Sequence, residues 1–204
     1  MEDQLVSQRI ALPDGELHLL QPADSAELPD SGGVEWAPIA PYWSVLWRSG
    51  VALARDLDGE ALSGRRVVEL GCGLAAPSIA AARAGAAALA TDAEPEALKL
   101  VERNARRNGT EVEPAVVDWA EPPAELIDRA PFDLVLAADV LYERSSVGPL
   151  LSLLPRLAPR CLLADPGRPA AGAFLDQAAA RGWEIESRSH GVITVHRLDL
   201  EAGL

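Results

Sequence analysis

Short apolar runs alternate along the chain with longer stretches of mixed Ala, Arg and Glu. Residues 66–70, 88–91, 115–117, 133–137 and 161–164 are rich in Val, Leu and Ala, and most lack polar alternation. That is the pattern of parallel strands covered on both faces. The intervening stretches are long enough for helices, so the order reads as an α/β fold. Pro77 falls in the first turn of the helix expected after the first run, where its missing N–H costs nothing, and Gly85 suits that helix's end. A second helix is predicted to begin at Pro95 and stop at Asn108 and Gly109.

The period changes near the end of the chain. Residues 183–189 and 192–198 are two β-like runs joined at His190 and Gly191, which predicts an antiparallel hairpin. Five parallel strands followed by a hairpin predict a seven-stranded, mostly parallel sheet with helices on both faces. A symmetric dinucleotide fold would instead end on further βαβ units. Ahead of this core, residues 10–20 hold Pro13, Asp14 and Gly15 between apolar positions and read as another hairpin. Residues 21–38, rich in Pro, Gly, Asp and Ser, read as a loop or flap. A chain of 204 residues supports one core. The expected division is therefore a single domain over 1–204, with the hairpin and an entry segment in 1–60 and the sheet in 61–204.

Composition narrows the function. With 31 acidic against 18 basic residues the net charge is −13, a sign that repels a phosphate backbone, so nucleic acid is not expected as a partner. Neither a membrane span nor a secretory leader is read from the sequence, and a cytoplasmic location is expected. Cys72 and Cys161 each lie in an apolar stretch and read as reduced core thiols, without a disulfide framework or metal cluster.

The segment Glu69-Leu70-Gly71-Cys72-Gly73-Leu74-Ala75-Ala76-Pro77 carries the most chemistry. A strand ends at Leu70, and Gly71 and Gly73 permit a tight turn that brings backbone close to a ligand. Gly71, Gly73 and Ala76 also satisfy a relaxed G-x-G-x-x-A dinucleotide fingerprint, so other residues must discriminate. Glu69 does so. A carboxylate at the strand's carboxyl end repels a pyrophosphate but accepts hydrogen bonds, directly or through water, from the amino group of a methionine moiety. Asp92 ends the next strand, where a carboxylate can grip both ribose hydroxyls. Asp118 ends the third and is followed by Trp119, an acceptor for an adenine amino group beside a ring that covers the base. An acid after a strand is often only a turn former or helix cap. Three in series beside a glycine turn are a less ordinary coincidence, and they point to S-adenosylmethionine. No Tyr-x-x-x-Lys hydride site accompanies them, the sole lysine being Lys99 inside a predicted helix.

At this point the residues carry a family resemblance. Glu69-Leu70-Gly71-Cys72-Gly73 resembles the first motif of class I, Rossmann-like methyltransferases, and Asp139-Val140-Leu141-Tyr142 is similar to the Asp-x-x-Tyr motif of the seven-β-strand protein-lysine methyltransferases. The segment from Pro41 through Trp43 and Trp47 to Gly50 resembles their Trp-containing entry segment. Asp165-Pro166-Gly167-Arg168 resembles a motif of the lysine methyltransferases of electron-transfer flavoprotein β-subunit and their bacterial relatives. The resemblance spans roughly residues 36–170, and Ala75 departs from it where a glycine is common. It implies that Trp47, Gly71, Gly73, Asp92, Trp119 and Ala138 line the cofactor; for Trp47 and Ala138 it is the sole ground.

Methyl transfer from a sulfonium requires a desolvated and aimed nucleophile. Asp139 and Tyr142, after the fourth strand, offer a carboxylate and a phenol to hold an incoming amine, although a helix-start acid and a packed ring are their ordinary alternatives. His18, His190 and His196 lie in the hairpin segments and are assigned no catalysis. The expected function is methyl transfer to a lysine amine of a protein partner. A small-molecule N- or O-methyltransferase and a cofactor-binding module without catalysis stay open beside it.

Overall fold

The computed structural model describes residues 4–26, 41–57 and 60–200. Strands β1 (Leu5–Leu12) and β2 (Gly15–Pro22) form the N-terminal hairpin, followed by a short helix α1 (Ala23–Ala26). Of the segment expected to be a loop or flap, residues 21–26 thus complete β2 and α1, and 27–38 lie outside the described residues. Helix α2 (Arg48–Asp56) then precedes an alternating series: β3 (Arg66–Leu70), α3 (Ala76–Arg83), β4 (Ala87–Asp92), α4 (Pro95–Arg107), β5 (Glu113–Val116), α5 (Ala124–Asp128), β6 (Leu134–Ala138), α6 (Val147–Leu157), β7 (Arg160–Asp165) and α7 (Pro169–Ala179). The chain closes on β8 (Trp183–His190) and β9 (Ile193–Leu200).

These strands form one seven-stranded sheet in the order β5-β4-β3-β6-β7-β9-β8, parallel except for β9, which runs antiparallel to both its neighbours. The expected sheet and terminal hairpin are therefore present, with strand ends displaced by one or two residues, and two of these shifts have a local cause. The third parallel strand starts at Glu113 rather than residue 115, because β5 is an edge strand and Pro114 removes no ladder bond there. The final turn is Gly191-Val192, with His190 paired to Ile193 and a positive φ of 68° at Gly191. That glycine fills the first central position of the tight two-residue turn.

Strand parity distributes the core. Val67, Ala88, Ala90, Leu134, Leu136 and Leu162 face α2, α3 and α4, whereas Val68, Leu89, Val135, Ala137, Cys161 and Leu163 face α6 and α7. Because side chains alternate along a strand, Glu69 follows Val67 to the α3 side. Both cysteines are buried free thiols. Among the described residues, no helix is long and apolar enough to cross a membrane.

The hairpin is tied to the sheet layers by two asparagines one helical turn apart on α4. Asn104 Oδ1 accepts from the Leu20 N–H at 2.7 Å and Asn108 Oδ1 from the His18 N–H at 2.8 Å, while their Nδ2 groups donate back to the carbonyls of the same two residues. Four helical residues rise about 6 Å and two strand residues about 6.8 Å, so the side-chain amides match the edge of β2. Asn104 Nδ2 also lies 3.4 Å from the Leu74 carbonyl in the glycine turn, which links the hairpin to the site.

Candidate active site

The sheet changes direction of winding between β3 and β6, which are neighbours although distant in sequence. Ligands of open α/β sheets bind outside the carboxyl ends of the strands at such a point. A cleft of about 730 Å³ opens there, and Trp47, Glu69, Gly71, Gly73, Asp92, Asp118, Trp119, Ala138, Asp139 and Tyr142 all line it. The structure thus brings every residue nominated from the sequence to one cavity. His18, His190 and His196 do not line it.

The glycine turn is held on all sides. Cys72 N–H donates to the Thr91 carbonyl at 2.9 Å, and Thr91 Oγ1 donates to the Glu69 carbonyl at 2.6 Å. Gly71 and Gly73 have φ of 66° and 49°, a region that favours glycine. Their missing side chains also serve the protein's own packing. A Cβ at Gly73 would stand 2.8 Å from the Trp43 carbonyl oxygen, and one at Gly71 would stand 3.0 Å from the Trp119 ring and 3.1 Å from Val140. Ala75 takes a φ of 60° at the position where the resemblance led to a glycine, and it is wholly buried. A left-handed alanine costs about 1–2 kcal/mol, partly offset by its buried methyl, worth about 0.8 kcal/mol.

Glu69 has a structural task that the sequence did not reveal. Its Oε2 accepts the Ser78 N–H at 2.9 Å and the Ser78 hydroxyl, at the start of α3. Pro77 brings no N–H, and the Glu69 carboxyl takes the place at this helix N-terminus that a phosphate occupies in other folds. Burial pushes its carboxyl up to about 8, against the two Ser78 hydrogen bonds, and the nearby Asp92 charge adds to the rise. The same burial raises the Cys72 thiol well above its ordinary range.

Asp92 accepts the Gly73 N–H at 2.9 Å and the Glu94 N–H at 3.0 Å, so each oxygen already fixes backbone while it lines the cleft. Asp118 is exposed and accepts the Ala120 N–H at 2.8 Å, a turn-forming bond. Trp119 packs over Gly71, and its indole Nε1 is buried without a hydrogen-bond partner among the described residues.

The far end of the cleft is aromatic and charged. Tyr142 and Tyr42 are each about half exposed, with ring centroids 5.6 Å apart, and Trp47 donates its indole N–H to the Tyr42 carbonyl at 2.9 Å. Burial, with the charges of Glu143 and Asp92, raises the Tyr142 phenol, which therefore stays protonated near neutral pH. Asp139 is buried and has a φ of 57°, and its Oδ1 accepts from Arg168 Nε at 2.5 Å. Asp165 Oδ1 takes the N–H groups of Gly167 and Arg168, each at 2.7 Å, and its Oδ2 is buried without a partner among the described residues. Burial raises the Asp165 carboxyl, as does Asp139, while those backbone bonds and Arg168 oppose the rise.

Sequence reasoning assigned no role to Tyr42, Ser78 or Arg168. The signal for Arg168 was available: β6 and β7 are adjacent and pair Ala138 with Ala164, so the residues that follow them, Asp139 and Asp165, end up side by side.

A family model described as lysine methyltransferase matches residues 42–163. An electron transfer flavoprotein beta subunit lysine methyltransferase of Danio rerio is 33% identical over 142 residues, covering 65% of this chain and 53% of that protein. Its Rattus norvegicus counterpart is 29% identical over 81% of this chain and 66% of its own length. The chain thus spans between about half and two thirds of these relatives. A ribosomal protein L11 methyltransferase of Pseudomonas aeruginosa is 43% identical over 50% of this chain and 31% of its own length. Among solved structures, magnesium protoporphyrin IX methyltransferase of Synechocystis with bound S-adenosylmethionine superposes with a TM-score of 0.59 at 16% identity, covering 87% of this chain and 93% of that one. A Thermus thermophilus 16S rRNA methyltransferase does so at 0.64 and 17% identity, covering 97% of this chain and 50% of that one.

Proposed function

Because the chain belongs to the lysine methyltransferase family, whose members depend on S-adenosylmethionine, we propose that it transfers methyl to a lysine amine of a protein. The observation that carries this reading is the pairing of two subsites in one cleft. A glycine turn with Glu69, Asp92 and Trp119 lies beside an aromatic end holding Asp139 and Tyr142.

The first subsite suits S-adenosylmethionine by its donor set. The N-terminus of α3 offers a pyrophosphate little, since Pro77 lacks an N–H and the Ser78 N–H donates to Glu69. Arg168 is the sole Lys or Arg side chain lining the described cleft, and it lies against Asp139 rather than near the glycine turn. Spare lone pairs on Asp92 accept ribose hydroxyls, Glu69 accepts from a methionine ammonium, and the Trp119 ring lines the part of the cleft allotted to the adenosyl group. When bound, the cofactor supplies an activated methyl carbon. The protein's share is to exclude water, to hold the acceptor amine beside the Tyr42 and Tyr142 rings, and to orient it by a hydrogen bond to Asp139.

A small-molecule acceptor is the second reading, favoured by the openness of the described cleft to solvent at Tyr42 and Tyr142. The two separate in one assay. Purified protein incubated with cell extract and methyl-labelled S-adenosylmethionine is expected to place label on lysine in the protein fraction. Label in the low-molecular-weight fraction would establish the second reading, and tight cofactor binding without transfer would leave a binding module.

Asp92→Ala is expected to weaken S-adenosylmethionine binding by about 1–3 kcal/mol, and to destabilise the fold as well, because the Gly73 and Glu94 N–H groups lose their acceptor. Calorimetric titration on a variant first confirmed folded is the check. Unchanged affinity would remove Asp92 from the cofactor site.

A further inference from the structure

We infer that Arg168 is a positioning residue that sets the charge at the acceptor end of the cleft: paired with Asp139, it lets that carboxylate orient a neutral amine instead of trapping an ammonium. The inference rests on the proposed lysine reading and adds the ionisation state in which the acceptor is received.

The geometry is built from two adjacent loops. Asp165 Oδ1 receives the Gly167 and Arg168 N–H groups, which shapes the turn at the end of β7 and aims the Arg168 side chain back at Asp139. Asp139 is anchored from the other side by its own N–H, which donates to the Ala164 carbonyl at 2.9 Å. With φ at 57°, Asp139 sits in a conformation that side-chain-bearing residues rarely adopt, held there by both attachments. Its side chain is 7% exposed and that of Arg168 26%, so the pair is only partly screened by solvent. Arg168 engages Oδ1, and no described residue donates to Oδ2.

A lone carboxylate in such a place would favour the charged form of any amine brought against it. An ammonium has no lone pair and cannot attack a methyl group. With Arg168 present the pair is formally neutral, and the remaining oxygen still accepts an N–H from an uncharged amine, turning its lone pair toward the cofactor. The amine leaves its proton with water on entering. Its lone pair then forms the N–C bond as the C–S bond breaks, the electron pair stays on sulfur to give a neutral thioether, and the new ammonium returns a proton to water. The other ionisable groups around the pair and its cleft are Asp165 behind it, Tyr42 and Tyr142 beside it, Glu94, Glu143 and Asp118 lining the same cleft, and Glu69, Cys72 and Asp92 at the glycine turn. All are retained in the variants below, so a difference between variants reports on Arg168.

The test compares wild type, Arg168→Gln and Arg168→Lys, using tritiated S-adenosylmethionine with cell-extract protein as acceptor across a pH series. In Arg168→Gln the midpoint of the rising limb of the rate is expected to move up by about one pH unit or more, because the uncompensated carboxylate stabilises the ammonium. Arg168→Lys keeps the charge and is expected to keep the wild-type midpoint even if slower. Affinity for S-adenosylhomocysteine should change by less than about two-fold, since Arg168 is assigned to the acceptor side. A Gln variant that is slower at an unchanged midpoint, or that loses S-adenosylhomocysteine binding, overturns the inference. A second arm titrates n-butylamine by NMR into each protein saturated with S-adenosylhomocysteine near pH 7, where the probe is an ammonium. Arg168→Gln is expected to bind it about three-fold or more tightly than wild type, and equal affinity overturns the inference. If extract protein takes no label from wild type, the lysine reading fails, and the butylamine arm still decides the role of Arg168.

Discussion

Glu69→Gln is expected to stabilise the protein by several kcal/mol above pH ~8 and to leave its stability nearly unchanged near pH 4. Burial lifts the Glu69 carboxyl from an ordinary 4.5 to about 8 in the folded chain. Below the lower value the residue is neutral in both states and resembles a glutamine. As pH rises between the two values the unfolded chain ionises while the folded chain holds its proton, so the wild type loses stability by up to about 1.36 kcal/mol per pH unit. Above the upper value the folded protein carries a buried charge and the full difference is reached. The substituted amide retains a carbonyl oxygen for the Ser78 N–H and hydroxyl, so the start of α3 should survive. Denaturant melts of both proteins at pH 5 and pH 9 provide the measurement. A Glu69→Gln variant no more stable than wild type at pH 9 would show that Glu69 is already ionised and well solvated or paired. The same titration bears on ligand binding, because a methionine ammonium beside Glu69 favours its charged form and should release a proton near neutral pH.

Much of this was legible from residue order. Apolar runs without alternation located the five parallel strands, and the acids at their carboxyl ends located the cleft, because a parallel sheet places all such ends on one edge. Pro114 hid the start of β5, since a proline reads as a break unless its strand is known to be at the sheet's edge. The double duties were out of reach for another reason. That Glu69 caps α3, that Asp92 clamps the glycine turn and that Gly73 makes room for the Trp43 carbonyl all depend on contacts between segments whose separation along the chain carries no period. These residues were chosen from the sequence as groups for a ligand, and in the structure each also holds the protein's own loops. Mutating them therefore perturbs scaffold and site together, whereas Asp139 and Arg168 form a side-chain pair that can be altered with the glycine turn intact.

That separation makes Asp139→Asn the sharpest test of the acceptor role. Asn is among the side chains that best tolerate the left-handed conformation Asp139 adopts, so the φ of 57° should persist. The Asn carbonyl can accept from Arg168 Nε, but the half-buried guanidinium loses its counter-charge, and the fold should lose about 1–3 kcal/mol. Cofactor affinity should change little, since Asp139 does not contact the glycine turn, Asp92 or Trp119 by any hydrogen bond given by the structure. The rate of methyl transfer should fall by about ten-fold or more, because each 1.36 kcal/mol of lost transition-state stabilisation is a factor of ten and the amine loses its acceptor. Tyr142→Phe probes the phenol in parallel, with a smaller loss expected because the ring keeps its contact with Tyr42. A binding isotherm and a transfer rate on the same Asp139→Asn preparation decide the matter. A wild-type rate would show that Asp139 serves the fold alone, through Arg168 and the Ala164 carbonyl, and a collapse of cofactor affinity would place it in the cofactor site instead.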